Sequence, residues 1–383
     1  MNKKRLVAAL AALSLAGAAF AGTNAPQQAR QTTQNATALQ TALNGNSYAG
    51  FVPHNFIKGV DGLWLAGFGQ MTAAYNSQAL INSAGAPEAY TNDGSSFTIG
   101  LPHAMVLMGY QSNNVGMFVN VNYANVPSTA KTSGKIQLAS SKTVPEAYLT
   151  YKINDMFAVK AGKFNTDFGS YDPTAALVSV GTGVNAFGAT GVEAVVATNG
   201  FHGSVAGVML DGATKTATTG LTNDARPNAF IVNAGYDMPF QGGTAGVEGS
   251  FNSKSAATPT SVAEWTLGAH FTNNAFAVKG DVFTINAKSG KKPYIWDGSV
   301  DYKLGNRFGH GMVVGAYGSY LSATTTANYG LATVGNTHWL LGAKFGYTLN
   351  RYSDAVVYAQ HAKMRKNTTK DNNTLMLALT IKV

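Results

Sequence analysis

Val115-Gly116-Met117-Phe118-Val119-Asn120-Val121-Asn122-Tyr123 alternates from end to end. Successive side chains of an extended chain point to opposite faces. Val115, Met117, Val119, Val121 and Tyr123 therefore share one face, and Gly116, Phe118, Asn120 and Asn122 the other. One side is apolar and the other largely polar. The end of the chain repeats the pattern. Leu375, Leu377, Leu379, Ile381 and Val383 lie on one face, opposed by Thr374, Met376, Ala378, Thr380 and Lys382.

Working outward from these two segments, the same period of two recurs from Gly62 onward. It predicts about sixteen strands: 63–75, 96–110, 115–123, 144–153, 157–164, 192–198, 201–210, 229–238, 244–252, 264–271, 276–285, 294–304, 311–321, 338–348, 355–362 and 374–383. Most runs are about ten residues, the length a tilted strand needs to cross a bilayer. The connections alternate in length. Short ones such as Asn154-Asp155-Met156 and Asn199-Gly200 are followed by long ones rich in Thr, Ser, Asn, Gly and Lys. Asn-Gly suits a type I′ hairpin, where both central residues need positive φ. Seven short turns and eight long loops are what sixteen antiparallel strands require if both chain ends lie on the short-turn side. The expected fold is all-β: a transmembrane antiparallel barrel with short periplasmic turns and long extracellular loops. A soluble sandwich of this length would need visible linkers, and a propeller would need a blade repeat.

Composition agrees. Only 12% of the 383 residues are charged, about half of the ~25% usual in soluble domains. Charge is scarce where the outside of a protein does not face water. There is no Cys, which excludes disulfide scaffolds, thiolate zinc sites, iron–sulfur clusters and Cys nucleophiles. Met1 to Ala21 reads as a secretory signal: a cationic Lys3-Lys4-Arg5 start, an apolar run from Leu6 to Phe20, and Ala19-Phe20-Ala21 before the cut. Cleavage there removes three of the nine net positive charges. Residues 22–61 form a polar periplasmic arm, in which Leu39 and Leu43 are spaced for two helical turns but bury little on their own. Residues 62–383 form the barrel.

The strand face opposite the apolar one carries charges of both signs, too many for a packed core. Its inward set includes Glu146, Lys160, Glu193, Glu248, Lys279, Asp281, Asp297, Asp301 and Lys344. A barrel of about sixteen strands is wide enough to hold water, so these residues are expected to line a wet channel. The segment 165–191 opens Asn165-Thr166-Asp167-Phe168-Gly169-Ser170-Tyr171-Asp172-Pro173. It is expected to fold inward and narrow the pore, with Lys160, Lys163, Asp167 and Asp172 near the constriction; the alternative is an ordinary outside loop. Aromatics near strand ends suit interfacial girdles: Tyr75, Tyr110, Tyr123, Phe157, Phe164, Phe201, Phe251, Trp265, Phe271, Phe276, Trp296, Tyr302, Trp339 and Tyr347. In the long loops Lys and Arg outnumber Asp and Glu. That surplus either steers anionic solutes or pairs with lipopolysaccharide phosphates. Basic residues spread over many loops of an exported chain disfavour nucleic acid as a partner.

No His-x-x-x-His, Gly-x-Ser-x-Gly, Walker-A or dinucleotide motif occurs among the seven His and 43 Gly. No catalytic set, cofactor or metal is expected.

Pro145-Glu146-Ala147-Tyr148-Leu149-Thr150-Tyr151, the Asn154-Asp155 turn, and Ala161-Gly162-Lys163-Phe164 through Phe168-Gly169-Ser170-Tyr171 resemble a strand pair of Gram-negative porins. The chain is most similar to the LbtU-type siderophore porin family in its signal peptide, short polar arm and Gly-Lys…Phe-Gly-x-Tyr segment. The resemblance implies an outer-membrane location, ferric-siderophore uptake, a homotrimer and contact with the outer-membrane assembly machinery. Outer-membrane barrels usually end in Phe or Trp, which that machinery reads, whereas this chain ends in Val383. The expected function is a water-filled channel for small solutes, anionic ones or ferric siderophores among them. The alternative is a surface adhesin or structural barrel with a closed lumen.

Overall fold

The computed structural model describes residues 39–44, 47, 49, 55–77, 79–81, 89–91, 96–128, 137–165, 188–210, 229–253, 263–286, 294–305, 311–322, 337–350, 352–364 and 371–383. Sixteen long strands dominate: Leu63–Asn76 (β1), Ser96–Gln111 (β2), Val115–Ser128 (β3), Gln137–Lys152 (β4), Phe157–Asn165 (β5), Gly188–Thr198 (β6), Phe201–Leu210 (β7), Ala229–Phe240 (β8), Gly243–Asn252 (β9), Ala263–Asn273 (β10), Phe276–Asn286 (β11), Tyr294–Gly305 (β12), Met312–Leu321 (β13), Thr337–Asn350 (β14), Ser353–Met364 (β15) and Asn372–Lys382 (β16). Each pairs antiparallel with its sequence neighbour, and β16 pairs with β1 to close the barrel. A small outlying hairpin, Ala79–Ile81 with Ala89–Thr91, lies between β1 and β2.

The closing seam runs from Thr374↔Asn76 to Lys382↔Phe68. Val383 extends it: its N–H donates to the Gly67 carbonyl at 2.9 Å, and its own carbonyl accepts from the Gly67 N–H. Beyond that point Asn55–Phe56 pairs with Leu65 and Trp64. The seam thus leaves few backbone groups unpaired, as a sheet in hydrocarbon requires.

Asn199 and Gly200 both have positive φ, 48° and 85°, the geometry of the predicted type I′ turn. The expected strands 115–123 and 144–153 are longer in the structure, reaching Ser128 and starting at Gln137. Backbone pairing, once in register, continues past the point where side chains turn polar.

The outer face is apolar. Leu65, Val106, Leu149, Val192, Val247, Leu267, Leu341 and Leu375 are exposed on it. Aromatics cluster towards both ends. Phe240–Phe271 stack and Phe276–Tyr302 meet at a tilt near the short turns, with centroids 5.3 and 4.8 Å apart, and Phe230–Phe251 and Tyr294–Tyr320 meet at 5.5 and 6.1 Å near the long loops. Amphipathic rings at two levels are what a bilayer interface selects. Phe164 does not belong to these girdles. It is fully buried, in the same strand alternation as Ala158 and Lys160, and so faces inward.

Candidate solute pathway

The inner face has two unlike halves. From β1 to β8 it is mainly apolar. Trp64, Phe68, Leu107, Phe118, Tyr148, Phe164, Val208 and Ile231 belong to one buried cluster, which also takes in Phe283 and Ile295 of β11 and β12. Trp64 stacks on Phe118 at a centroid distance of 5.8 Å, and Phe118 meets Tyr148 at a tilt, 5.3 Å away. Lys160 lies in this half, its ammonium 4.6 Å from the Phe164 ring and 5.7 Å from the Tyr148 ring. It meets the Glu193 carboxylate at 2.6 Å, with both side chains almost wholly buried. Glu146 is also buried, opposite Asn120 in register.

From β8 to β14 the inner face also carries polar rows set by strand register. Gly235, Glu248, Gly268, Asp281, Asp297 and Ser319 are successive Cα partners across six strands. Three carboxylates therefore share one row, and Asp281 and Asp297 are direct neighbours, an arrangement that costs stability between like charges. The Ser319 hydroxyl donates to Asp297 Oδ1. Closer to the short turns a second row holds Asp237, Gly246, His270 and Lys279. Asp237 Oδ1 is 3.2 Å from His270 Nε2, and Asp237 Oδ2 is 3.8 Å from His202 Nδ1. A third row holds Asp301, Gly315 and Lys344, with Lys344 Nζ 2.9 Å from Asp301 Oδ2.

The glycines in these rows have a specific use. A Cβ at Gly246 would overlap Asp237 and His270; one at Gly268 would overlap Asp281; one at Gly315 would overlap Asp301. One at Gly342 would strike the Tyr317 ring, whose hydroxyl donates to Gln360 Oε1 at 3.2 Å. Each long side chain lies flat over the glycine of the next strand instead of standing into the lumen. The high glycine content of the sequence was the available signal for this, but only the strand register reveals which glycines are involved.

Glu146, Lys160, Glu193, Glu248, Lys279, Asp281, Asp297, Asp301 and Lys344 all occupy inward strand positions. Lys163 does not. It pairs in register with Ala147 and Thr190 on the outer face. Lys160 and Lys163 are three residues apart, and in a strand an odd spacing sends two side chains to opposite faces. Asp167 and Asp172 lie outside the described residues, as do most of the loop cations.

Sequence reading missed the seat of residues 39–44, Ser47 and Ala49. Residues 39–44 are helical, and Leu39 and Leu43, one turn apart, are fully buried against Ala158 of β5 and Val195 and Ala197 of β6. These wall positions share the parity of Lys160 and Glu193, so they face inward. Gln40 Oε1 accepts from Gln111 Nε2 of β2 at 3.1 Å. The Tyr148 hydroxyl of β4 donates to Ser47 Oγ at 2.9 Å. Ala49 is buried in the cluster that contains Trp64 of β1. Two leucines bury little on an isolated helix. Here the concave wall supplies small partners that let them approach closely.

No family model matches the sequence, and no curated relative matches it. Solved structures match over most of the chain. The outer-membrane channel DcaP of Acinetobacter baumannii aligns with TM-score 0.54 and 13% identity, covering 84% of this chain and 97% of that one. OprB of Pseudomonas putida gives TM-score 0.57 and 10% identity, with 84% and 94% covered. Salmonella typhi OmpF, in a complex with daunomycin, gives TM-score 0.55 and 12% identity, with 86% and 100% covered. At such identities the likeness is one of fold. The closed barrel and its apolar belt are those of a Gram-negative outer-membrane protein, and the fold is that of the porins.

Proposed function

We propose that the barrel is a water-filled outer-membrane channel for small solutes. The polar rows of β8 to β14 carry the proposal. Glu248, Asp281, Asp297, Lys279 and the Asp301–Lys344 pair lie inside a closed barrel whose outside is apolar, and charges in such number call for water beside them. The porin fold supports the same reading over an enzymatic one. Stepwise conductance in planar bilayers and solute-driven swelling of liposomes test it; a folded barrel that gives neither is not a channel.

Selectivity belongs to the same proposal. The basic loops and the resemblance to LbtU-type siderophore porins argue for anionic solutes or ferric siderophores. The carboxylate row Glu248–Asp281–Asp297 argues for cations at mid-wall. The reversal potential in a salt gradient separates the two, and cation preference removes the case for an anion-steering mouth. Assembly as a homotrimer, pairing of loop Lys and Arg with lipopolysaccharide, handling by the outer-membrane assembly machinery, and a constriction at 165–191 with Asp167 and Asp172 are further parts of this reading. The constriction is tested by recording from a chain lacking 170–188; unchanged conductance and selectivity remove it.

A closed-lumen adhesin or structural barrel is favoured by one observation, the near-complete burial of inward Glu146, Lys160 and Glu193. The same conductance measurement decides it.

A further inference from the structure

We propose that the helix 39–44, together with Ser47 and Ala49, forms a constriction seated inside the short-turn mouth of the barrel, and that it limits the conductance of the pore. The inference rests on the channel reading above.

The segment's anchors lie on inward positions of widely separated strands. Leu39 and Leu43 sit on β5 and β6, Gln40 reaches Gln111 on β2, Ser47 accepts from Tyr148 on β4, and Ala49 joins the cluster of Trp64 on β1. A segment outside the barrel could not touch inward side chains of β1 and β6 at once. It therefore crosses within the wall and occupies the mouth over six consecutive strands. The anchors on all five strands lie towards the short turns: Gln111 ends β2, Trp64 lies near the start of β1, Tyr148 in the last third of β4, Ala158 near the start of β5, and Ala197 near the end of β6.

The segment covers the short-turn end of the wall from β1 to β6. The polar rows of β8 to β14 line the side left for solute. The contacts described for the segment are apolar packing of Leu39 and Leu43 on Ala158, Val195 and Ala197, and hydrogen bonds between uncharged groups.

The test uses the full chain with Leu39→Asp and Leu43→Asp, folded into vesicles and checked for the heat-modifiable mobility of a closed barrel. Two carboxylates cannot sit against Ala158, Val195 and Ala197, and the barrel strands are untouched. The expected result is a larger unitary conductance than the parent chain gives, with liposome swelling by larger neutral sugars. A second variant, Gln40→Cys with Gln111→Cys, exploits the absence of any other Cys in the chain. Bridging the two thiols with a short, reducible bis-thiosulfonate reagent is expected to hold conductance at or below the parent value, and reduction to restore it. If the Asp variant conducts like the parent, the segment does not limit the pore and the proposal is overturned. If neither folded chain conducts, the channel reading falls and takes the proposal with it. The two failures are distinguishable.

Discussion

Lys160 and Glu193 are Cα partners on adjacent strands, with Nζ and Oε2 2.6 Å apart and both side chains nearly inaccessible to water. The pair sits against Tyr148 and Phe164, one inward position along from Ala158 and Val195, on which Leu39 and Leu43 pack. Lys160→Met strands a buried carboxylate, and the expected loss of stability is about 3–5 kcal/mol. Lys160→Met combined with Glu193→Met is expected to recover most of that loss, because neither charge is left behind. Reversible urea unfolding in lipid vesicles reads both. Additive losses would show that the pair is not coupled.

The glycines under inward side chains give a second expectation. Gly246→Ala forces Asp237 and His270 apart, and Gly342→Ala lifts the Tyr317 ring off the wall. Each is expected to cost about 1–3 kcal/mol, the usual range for overpacking, and to lower conductance, since the displaced side chain has only the lumen to enter. Gly207 is the control: a Cβ there meets nothing within 4 Å, so Gly207→Ala should be neutral or mildly stabilising. Equal effects at all three would remove the packing argument.

Selectivity should follow the carboxylate row. Asp281→Asn with Asp297→Asn removes two like charges that face each other across β11 and β12. The reversal potential in a potassium chloride gradient is expected to move towards anion preference. The folded barrel should be no less stable, since like charges directly opposite are unfavourable. An unchanged reversal potential would mean that permeating ions do not pass this row.

The turn at Asn199-Gly200 should be sensitive to side-chain type. Asn199 holds φ at 48° and Gly200 at 85°, and a Cβ at Gly200 would overlap the Asp237 carbonyl. Asn199→Ala is expected to cost about 1 kcal/mol, and Gly200→Ala more, because strain and overlap add. Urea midpoints compared with the parent chain check the order.

The barrel was legible because its outside is apolar and its inside is not. Residues such as Val115, Met117 and Val119 carry that contrast along a single strand, with no reference to anything distant. The inward placement of Asp281 or Lys344 follows from the same parity. Lys163 shows where the rule must be applied strictly: chain proximity to Lys160 suggested a shared site, but the odd spacing sends the two apart. Phe164 looked like an interfacial aromatic because it ends a strand, yet it shares the parity of Lys160. The seat of Leu39 and Leu43 was not legible. Their partners Ala158, Val195 and Ala197 are more than a hundred residues away, and small side chains give no sign in sequence that they form a socket. The flat stacking of Tyr317 over Gly342 depended on pairing register, which alternation alone does not determine.

The seam between β1 and β16 has a kinetic meaning. Gln70 Nε2 donates to Thr380 Oγ1 across it, a contact between residues 310 positions apart. Local hairpins can form as soon as their two strands exist, but this one pairing joins the first strand to the last. Until it forms, the sheet carries two open edges that hydrocarbon cannot satisfy. Circularisation should therefore be the slow and committing step of biogenesis, and truncation within β16 should leave a chain that fails to insert at all, not a slightly weaker barrel.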